Sequence, residues 1–479
     1  MSIILYYIVL VLEILTGLWC LYRTTKYSKY INKEDKQENV IKINNCNSNS
    51  NILIVIPCLR EQDIIIKTLQ HFLKITDSFN NVKILVVTTQ KEEYEKEKNL
   101  YLEAQMIKDI KNNVDIQRLI NSYNKILSTD EIRKVLKQKD NENIEQLVDN
   151  TIDMSKTTSQ IVSEFIEKNN LKEKIYHFHY PYNEGIMADQ LNYVLNNFEF
   201  NSEESYYFSV YNADSNPNQQ TIQKVIETII KNNYPNVIQQ YSVPISNWNE
   251  LSMLMKGFAI YQSNFELRYG LINAYFPYKF LYTYVVGHGL YIRVDTLKQI
   301  GGFETKYWCE DIYMSYVLRN NNISIYPIDT LEIMQSPQYL SILTKQNAVW
   351  FKTSFECLKI FKDVYKKNKE ISLSAIGWLL QRIRMNITWI GLPLAFLYTL
   401  IIYILNKNII MLSIALLSYI FMISLEYGST IKMIEHIEKI NLKNKIKIFF
   451  GTILATTISN IGPIYSLISR KKEKYKTIR

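Results

Sequence analysis

Long apolar stretches lie at both ends of the chain, and shorter apolar runs alternate with polar segments in its middle. Residues 3–21 are apolar at all but a few positions, which approaches the ~20 residues that a helix needs to cross a bilayer. Residues 386–405, 409–425 and 448–468 are three further apolar stretches. The pattern predicts a membrane protein with one N-terminal span, about three C-terminal spans and a large domain between them.

The N-terminal stretch is predicted to be a retained anchor, residues 1–22. No basic segment precedes it and no clear small-residue cleavage site follows it, unlike a secretory signal. A buried core helix is the alternative. Arg23, Lys26 and Lys29 follow the anchor directly, so the positive-inside rule predicts that the next domain is cytoplasmic.

The C-terminal membrane region is predicted to begin with a helix lying flat in the interface. Residues 371–385 mix apolar residues with Trp378, Arg382 and Arg384, which is typical of an amphipathic interfacial helix. The transmembrane region follows at 386–468. Its first two stretches are separated by only three residues, so we expect them to form a hairpin.

The side of the membrane that holds the C-terminus stays open. Four spans put both chain ends outside if the middle domain is cytoplasmic, whereas the tail 469–479 carries six basic residues and favours the inside. Either 448–468, which contains Asn460, Gly462 and Pro463, is re-entrant or broken, or another stretch is not a span.

The domain between the membrane segments, residues 50–370, is predicted to be α/β. Residues 51–57 form a continuous apolar run ended by proline, typical of a strand buried on both faces of a parallel sheet. Residues 63–73 follow with helical spacing, and 82–88 form a second apolar run, so a β-α-β unit opens the domain. The charged segment 91–174 has helical periodicity and predicts an inserted subdomain, either a solvated decoration or a docking site.

Charge and cysteine usage narrow the classes of partner. The tail contributes +5 of the net charge of +9, and Arg23, Lys26 and Lys29 contribute +3. Because this charge lies beside the membrane segments, anionic lipid is the expected counter-charge. A nucleic-acid partner is not predicted. The five cysteines form no CxxC pair, which argues against a disulfide framework or a structural zinc site. His177 and His179 share one face of a predicted strand, where a packed strand edge is the simplest interpretation.

Three short segments could carry chemistry. Asp214 follows the predicted strand 206–211, at the sheet edge where α/β proteins bind ligands, although aspartate is equally a turn residue. Glu310 and Asp311 precede a helical stretch, where they could cap a helix or deprotonate a hydroxyl. Four glycines lie within 287–302 and permit either a close backbone approach to a ligand or plain turns.

The order of six segments resembles the membrane-integrated family 2 inverting glycosyltransferases, which are related to cellulose, chitin and hyaluronan synthases. The resemblance spans roughly residues 50–370 together with the membrane layout. The segments are IVIPCLRE at 54–61, YNEGIMADQLN at 182–192, NAD at 212–214, GHGLYIR at 287–293 with GGF at 301–303, ED at 310–311, and QNAVW at 346–350.

The resemblance implies a fold and a set of roles. It implies a GT-A fold, a Rossmann-like mixed sheet, with N- and C-terminal transmembrane helices. Asp214 would bind Mg²⁺ or Mn²⁺ on a nucleotide-sugar diphosphate, and Asp311, with Glu310 beside it, would be the general base. The nucleotide would be bordered by Pro57, Glu61, Asn183, Gly185 and Asn212. The acceptor would be bordered by Gly287, His288, Gly289, Trp308, Gln346 and Trp350.

Three departures from the family pattern weaken its usual diphosphate and nucleotide contacts. Asn212 replaces the first aspartate of the metal motif, residues 88–90 read Thr-Thr-Gln where an aspartate is usual, and Val349 replaces an arginine. Arg293 and Lys345 are candidates for the missing cation.

The predicted function is therefore that of a metal-dependent inverting glycosyltransferase, a hexosyltransferase of the cell membrane with a cytoplasmic catalytic domain. It would use a UDP- or GDP-sugar and a glycan or lipid-linked acceptor in polysaccharide or glycolipid synthesis. Two alternatives stay open: a processive synthase that also exports its polysaccharide, and a degenerate transferase that acts as a membrane scaffold through 91–174.

Overall fold

A computed structural model describes residues 2–38, 50–111, 156–275, 283–307, 309–435, 437 and 442–469. Its strands are β1 (Ser50–Pro57), β2 (Val82–Thr89), β3 (Ile175–Tyr180), β4 (Ser205–Val210), β5 (Val237–Gln239), β6 (Ser242–Pro244), β7 (Leu290–Arg293), β8 (Ile325–Pro327) and β9 (Glu332–Met334).

The helices follow in chain order, with a π-helix, Phe265–Leu271, between α7 and α8. They are α1 (Ser2–Glu38), α2 (Ile65–Thr76), α3 (Gln90–Lys111), α4 (Thr158–Lys168), α5 (Met187–Asn197), α6 (Thr221–Lys231), α7 (Met253–Asn264), α8 (Ile272–Tyr275), α9 (Val294–Ile300), α10 (Glu310–Asn320), α11 (Leu340–Asn368), α12 (Leu373–Leu405), α13 (Ile409–Glu435), α14 (Leu442–Thr457) and α15 (Ile461–Ile468).

A seven-stranded mixed sheet forms the centre of the molecule, in the order β3-β2-β1-β4-β7-β5-β8. Strands β3, β2, β1 and β4 are parallel neighbours, and β7 runs antiparallel to both β4 and β5. The prediction of a mixed α/β sheet opened by a β-α-β unit is confirmed. The shorter strands β6 and β9 pair in a separate two-stranded sheet.

The continuous apolar run of β1 is explained by burial on both of its faces. Leu53 and Val55 pack with β2, β4, α5 and α10 in one core. Ile54 and Ile56 pack with α2, α4 and α6 in another. Since alternate residues of a strand point to opposite faces, a strand covered on both sides has no position for a polar residue.

Four helical segments are long and apolar enough to cross a membrane, namely Tyr6–Lys26, Leu373–Leu405, Ile409–Glu435 and Leu442–Ile468. The last segment is interrupted by a turn at 458–460, between α14 and α15, which is the broken arrangement that its asparagine, glycine and proline allow. The basic residues 470–479 lie outside the described residues, so the side that holds the C-terminus stays a prediction.

The structure corrects one predicted boundary. Residues 373–385 are not a separate interfacial helix, because α12 continues through residue 385 as a single helix of 33 residues. Residues 373–385 contain no proline, and their one glycine, Gly377, is tolerated inside a helix. Of the predicted insertion 91–174, the structure describes 91–111 and 156–174, which contain most of α3 and all of α4.

A third core joins the middle domain to the membrane helices. Phe258 and Ile260 of α7 are buried with Tyr6 of α1, Phe396 of α12 and Tyr419 of α13. Helix α7, from the middle of the chain, therefore packs against the membrane helices. The hydrophobic pattern does not predict this packing, because Lys256 in α7 and the charged residues that follow α7 interrupt the apolar run.

Candidate active site

A small cavity lies at the carboxyl end of β4, where several predicted segments meet. Its walls come from α5, β4, the turn before β7, the turn after α9, and the first turns of α10. The lining residues are Met187, Leu191, Val210, Gly287, Leu290, Phe303, Glu310, Asp311 and Met314. The structure thus brings together Gly287, Glu310 and Asp311, which the sequence predicts as site residues.

Glu310 and Asp311 are the first two residues of α10, and the helix has no side-chain cap hydrogen bond at Cys309, its N-cap residue. Asp311 Oδ1 accepts a hydrogen bond from the N–H of Ile312 at 2.7 Å, as a helix-terminal carboxylate does. A Cβ atom on Gly287 would lie 3.4 Å from Glu310 Oε1, so the glycine lets the acidic pair approach the chain before β7. Glu310 and Asp311 therefore lie in the cavity wall and in the first turn of α10.

Asp311 has the electrostatic surroundings of a candidate base. Burial raises the pKa of its carboxyl, and the N–H groups of Ile312 and Gly287 with the charges of Arg382 and His288 oppose that rise. A carboxyl whose pKa is raised binds a proton more readily than an exposed one, as a general base requires.

His288 is the electrostatic centre of the site. Its Nδ1 lies 2.9 Å from Glu332 Oε2, and both residues are buried. Burial alone would lower the pKa of His288, but Glu332, Glu266 and Asp214 raise it above its usual value. His288 therefore brings one more predicted residue, Asp214, into electrostatic contact with this side of the cavity.

Glu332 of β9 is a site residue that the sequence analysis missed. Its Oε1 accepts a hydrogen bond from the N–H of Asn216 at 3.2 Å, so it connects the turn after β4 to His288. Burial alone would raise the pKa of Glu332, but His288, the Ser215 hydroxyl and the Asn216 N–H hold it below its usual value. An acidic residue inside the apolar run 331–334 was the available signal.

Glu266 of the π-helix is the second carboxylate that sequence reasoning missed. The Tyr284 hydroxyl donates to its Oε1 at 3.1 Å. Burial raises the pKa of Glu266 to about 7, with an opposing effect of His288 and a reinforcing effect of Asp311. No sequence signal marks this position, because the surrounding helical segment has a mixed pattern.

The turn at 212–214 offers one carboxylate to a metal. The turn is closed by the N–H of Asn212, which donates to Ser215 Oγ at 3.1 Å, and Asp214 is half-buried beyond it. Among the described residues no cluster of three histidine, cysteine or acidic side chains could hold a metal ion. One carboxylate still fits Mg²⁺ or Mn²⁺, which commonly takes its other ligands from phosphate oxygens and water.

The turn that contains Pro57 and Glu61 lies outside the cavity. It is held by buried Glu92 of α3, which accepts from the N–H of Arg60 at 2.9 Å and from the N–H of Thr158 at 2.7 Å. Thr158 Oγ1 in turn accepts from the N–H of Glu61 at 3.0 Å. Helices α3 and α4, which lie at the two ends of the predicted insertion, therefore fix the predicted nucleotide-binding turn. Glu92 is a third residue that the sequence analysis missed.

Asn183 and Gly185 lie in an exposed loop that leads into α5 and reaches the cavity at Met187. Gly185 has φ +126°, and a Cβ atom there would lie 3.0 Å from the Tyr180 ring. A residue with a side chain would be strained at this position, which explains why the chain has a glycine there.

Asn192 explains why two of the family-like segments occur together. Its Nδ2 donates to the Phe303 carbonyl at 2.7 Å, and its Oδ1 accepts from the Phe303 N–H at 2.8 Å. Gly302, at φ +77°, approaches this side chain so closely that a Cβ atom would lie 2.6 Å from Asn192 Oδ1. Asn192 thus connects the segment 182–192 to the segment 301–303 and fixes the backbone of Phe303, which lines the cavity.

Three of the other predicted acceptor residues, Gly289, Gln346 and Trp350, do not line the cavity. Gly289 lies beside His288, in the left-handed conformation at φ +65°. Gln346 and Trp350 lie on α11; Gln346 Oε1 is buried with no hydrogen-bond partner in the described part of the chain, and Trp350 is 41% exposed. Trp308 lies outside the described residues.

The direction of β7 excludes Arg293 as the cation at the cavity. Because β7 is antiparallel to β4, Arg293 at its end pairs with Tyr207, at the sheet edge opposite the cavity, and it forms an ion pair with Asp295. Lys345 is exposed on α11. The cation beside Asp311 is Arg382 of α12, which is buried and donates to Thr353 Oγ1 at 3.1 Å.

The two strand histidines belong to a polar cluster at the edge of the sheet. Thr88 Oγ1 lies 2.8 Å from His177 Nε2 and 3.0 Å from His179 Nδ1. Burial lowers the pKa of His177 to about 4, and His179 adds to this effect. Thr88, which stands where the family usually has an aspartate, therefore contacts the neutral imidazole of His177.

Comparison with known proteins gives fold-level similarity only. No family model and no curated protein matches the chain. It is similar to a mannosyltransferase, PcManGT from Pyrobaculum calidifontis in complex with GDP-Man and Mn²⁺, with a TM-score of 0.43, 10% identity, and 97% of this chain and 100% of that chain covered. It is also similar to residues 1–349 of S. aureus TarS, with a TM-score of 0.34, 10% identity, and 86% and 92% covered. At these TM-scores neither similarity carries an inference about activity.

Proposed function

We propose that the protein is a membrane-bound inverting glycosyltransferase with a GT-A fold. It transfers a hexose from a UDP- or GDP-sugar to a glycan or glycolipid acceptor at the cytoplasmic face of the cell membrane. The observation that carries the proposal is the position of Asp311, a half-buried carboxylate with a raised pKa that lines a cavity at the carboxyl end of β4. The basic residues after the N-terminal span support the cytoplasmic location.

Asp311 would act as the general base. It accepts the proton of an acceptor hydroxyl, whose oxygen attacks the anomeric carbon of the donor sugar while the nucleoside diphosphate leaves from the opposite face. One bond forms as the other breaks, so the configuration inverts. The charges of Arg382 and His288 oppose the rise that burial causes in the pKa of Asp311, which favours the ionised form of the carboxylate.

The donor would lie across the carboxyl ends of β1 and β4. Pro57, Glu61, Asn183, Gly185 and Asn212 would border the nucleotide. Helices α3 and α4 hold the turn of Pro57 and Glu61 in place through Glu92 and Thr158. Asp214 would hold Mg²⁺ or Mn²⁺, which supplies charge neutralisation for the leaving diphosphate when it is bound. Gly287, His288, Gly289, Trp308, Gln346 and Trp350 would serve the acceptor side.

The test is turnover of a panel of UDP- and GDP-sugars by the purified full-length protein in detergent with Mn²⁺. Asp311→Asn should lower kcat by about 10²- to 10⁴-fold, the usual contribution of a general base. The matched control is Asp77→Asn, an exposed aspartate at the end of α2, which should leave kcat unchanged. Chelation with EDTA should stop turnover, and Mn²⁺ should restore it.

The result that contradicts the proposal is a wild-type protein that neither transfers nor hydrolyses any donor in the panel. Full activity of Asp311→Asn would contradict the assignment of the base alone. Product length on a gel separates a single transfer from processive synthesis.

A further inference from the structure

Most of the wall of the cavity at the carboxyl end of β4 is apolar. Six of the nine described residues that line it carry apolar side chains, namely Met187, Leu191, Val210, Leu290, Phe303 and Met314. All of these except Met187 are buried, and they belong to the core that covers one face of the sheet. Glu310 and Asp311 form the acidic part of the wall. The carboxylate proposed as the base therefore adjoins an apolar surface.

Gly287 lies where the apolar and acidic parts of the wall meet. A Cβ atom on this glycine would lie 3.4 Å from Glu310 Oε1 and 3.7 Å from Met187 Cε. Its φ is outside the left-handed region that favours glycine, so the backbone here accepts a residue with a side chain. The glycine therefore leaves a gap between Glu310 and Met187 that the backbone itself does not require, and close approach of a ligand is a reason for such a gap.

The size and chemistry of the cavity favour a methyl group as its occupant. The space holds about one group of the size of a water molecule or a methyl. Water needs several polar partners, and a hydroxyl group buried without a hydrogen bond is unfavourable, whereas a methyl group gains from burial against apolar side chains. Met187 and Met314 can adapt to such a group, because the unbranched thioether of methionine fills irregular gaps.

We propose that this cavity holds a methyl group of the reacting sugar, either the methyl of an acetamido group or the C6 methyl of a 6-deoxy sugar. The proposal rests on the proposed function and deepens it, because it names the class of hexose. Ionised carboxylates accept hydrogen bonds from hydroxyl groups. A sugar that carries a methyl group beside its ring hydroxyls therefore matches a wall that is partly apolar and partly acidic.

The first test compares sugars that differ in this substituent, with the purified full-length protein in detergent. Matched donors are UDP-glucose with UDP-N-acetylglucosamine, UDP-galactose with UDP-N-acetylgalactosamine, and GDP-mannose with GDP-6-deoxymannose; the same sugars are then compared as free acceptors. The methyl-bearing member should have a kcat/KM higher by about tenfold or more, the usual effect of one carbon group in an apolar pocket. The pair that shows the preference identifies the substituent and the substrate that carries it. Equal values in every reacting pair would overturn the proposal.

Gly287→Ala tests the same space from the side of the protein. Its methyl group fills the gap between Glu310 and Met187, so the kcat/KM ratio of the preferred pair should fall toward one. Met187→Ala widens the gap and should raise kcat/KM for a homologue with an ethyl group in place of the methyl. The controls are Gly391→Ala in α12, where an added Cβ meets nothing within 4 Å, and Glu173→Ala, an exposed glutamate in the turn before β3; both should keep the wild-type ratio. An unchanged ratio in Gly287→Ala would overturn the proposal.

Binding without turnover separates this proposal from the proposed function. The probes are the same nucleotide-sugars and free sugars, and the readout is NMR of protein labelled with carbon-13 on its methionine methyl groups, with signals assigned through Met187→Leu and Met314→Leu. The methyl-bearing member of a pair should shift the Met187 and Met314 signals more than its hydroxyl counterpart does. Such shifts without transfer or hydrolysis of any donor would contradict the proposed function alone. Equal shifts within every pair, or no shift with any probe, would overturn the role of the cavity.

Discussion

At the scale of single residues, the candidate site is a set of acids around one imidazole. His288 is buried and lies 2.9 Å from Glu332 Oε2. Its charge lowers the pKa of Glu332 and opposes the rise that burial causes in the pKa of Glu266 and of Asp311. Two measurable consequences follow at this scale.

The first consequence concerns pH. Asp311 must be ionised to accept a proton, and burial raises its pKa above its usual value, so kcat/KM should rise with pH through a value above the ~3.9 of an exposed aspartate. Rates measured across about pH 4 to 9 check this. An acid limb at the ordinary aspartate value would show that the base lies elsewhere.

The second consequence concerns Glu332. Glu332→Ala removes the partner of buried His288 and the acceptor of the Asn216 N–H, so the free energy of unfolding should fall by about 3–5 kcal/mol. Glu332→Gln, which can still accept hydrogen bonds, should lose less. Denaturant unfolding in detergent measures both, with Glu173→Ala as control; equal stability of Glu332→Ala and wild type would contradict the role of this pair.

At the scale of elements, the contact between α7 and α14 depends on two glycines that face each other. A Cβ atom on Gly257 would lie 2.1 Å from the carbonyl oxygen of Gly451, and one on Gly451 would lie 2.3 Å from the carbonyl oxygen of Met253. Only glycine lets these backbones approach so closely, as in the small-residue contacts of membrane helices.

Gly451→Ala should therefore separate α7 from α14 and lower the free energy of unfolding by about 1–3 kcal/mol. The control is Gly391→Ala in α12, where an added Cβ meets nothing within 4 Å and alanine favours the helix by about 0.5–1 kcal/mol. Thermal unfolding in detergent should show shifts of opposite sign. A Gly451→Ala protein as stable as Gly391→Ala would contradict this packing.

At the scale of the whole molecule, the middle domain and the membrane helices form a common core. Phe258 and Ile260 of α7 are buried against residues of α1, α12 and α13, and Arg268 pairs with Glu426. The hydrophobic pattern of the sequence predicts residues 50–370 as a domain separate from the membrane segments. Because of the common core, this domain exposes a large apolar surface when those segments are removed.

A fragment of residues 50–370 should accordingly fail to form a soluble, cooperatively folded monomer. Exposed apolar surface of this extent drives association. Size-exclusion chromatography and denaturant unfolding of the fragment test this expectation, with the full-length protein in detergent for comparison. A monomeric fragment with a single cooperative transition would show that α7 does not need the bundle.

Sequence reasoning was most successful where a pattern is local. The buried runs of β1 and β2 and the four apolar segments follow from periodicity, and the glycine-rich turns before α10 follow from local motifs. Glu266 and Arg382 could not be predicted, because each reaches the site from an element that is distant in sequence and only the fold brings it close. Glu332 is equally distant, and its one signal is an acid inside an apolar run, which does not say what the acid contacts. The direction of β7 likewise decides that Arg293 faces away from the cavity, and no local signal specifies that direction.

The ion pair between Glu13 of α1 and Arg384 of α12 has a consequence for biosynthesis. The two residues are 371 positions apart, so the ribosome must make the whole domain of residues 50–370 before the partner of Glu13 exists. During that interval an acidic side chain of the first span is without this partner in an apolar environment that disfavours its charge. We therefore expect α1 to remain beside the insertion machinery, or at the membrane surface, until α12 has been synthesised.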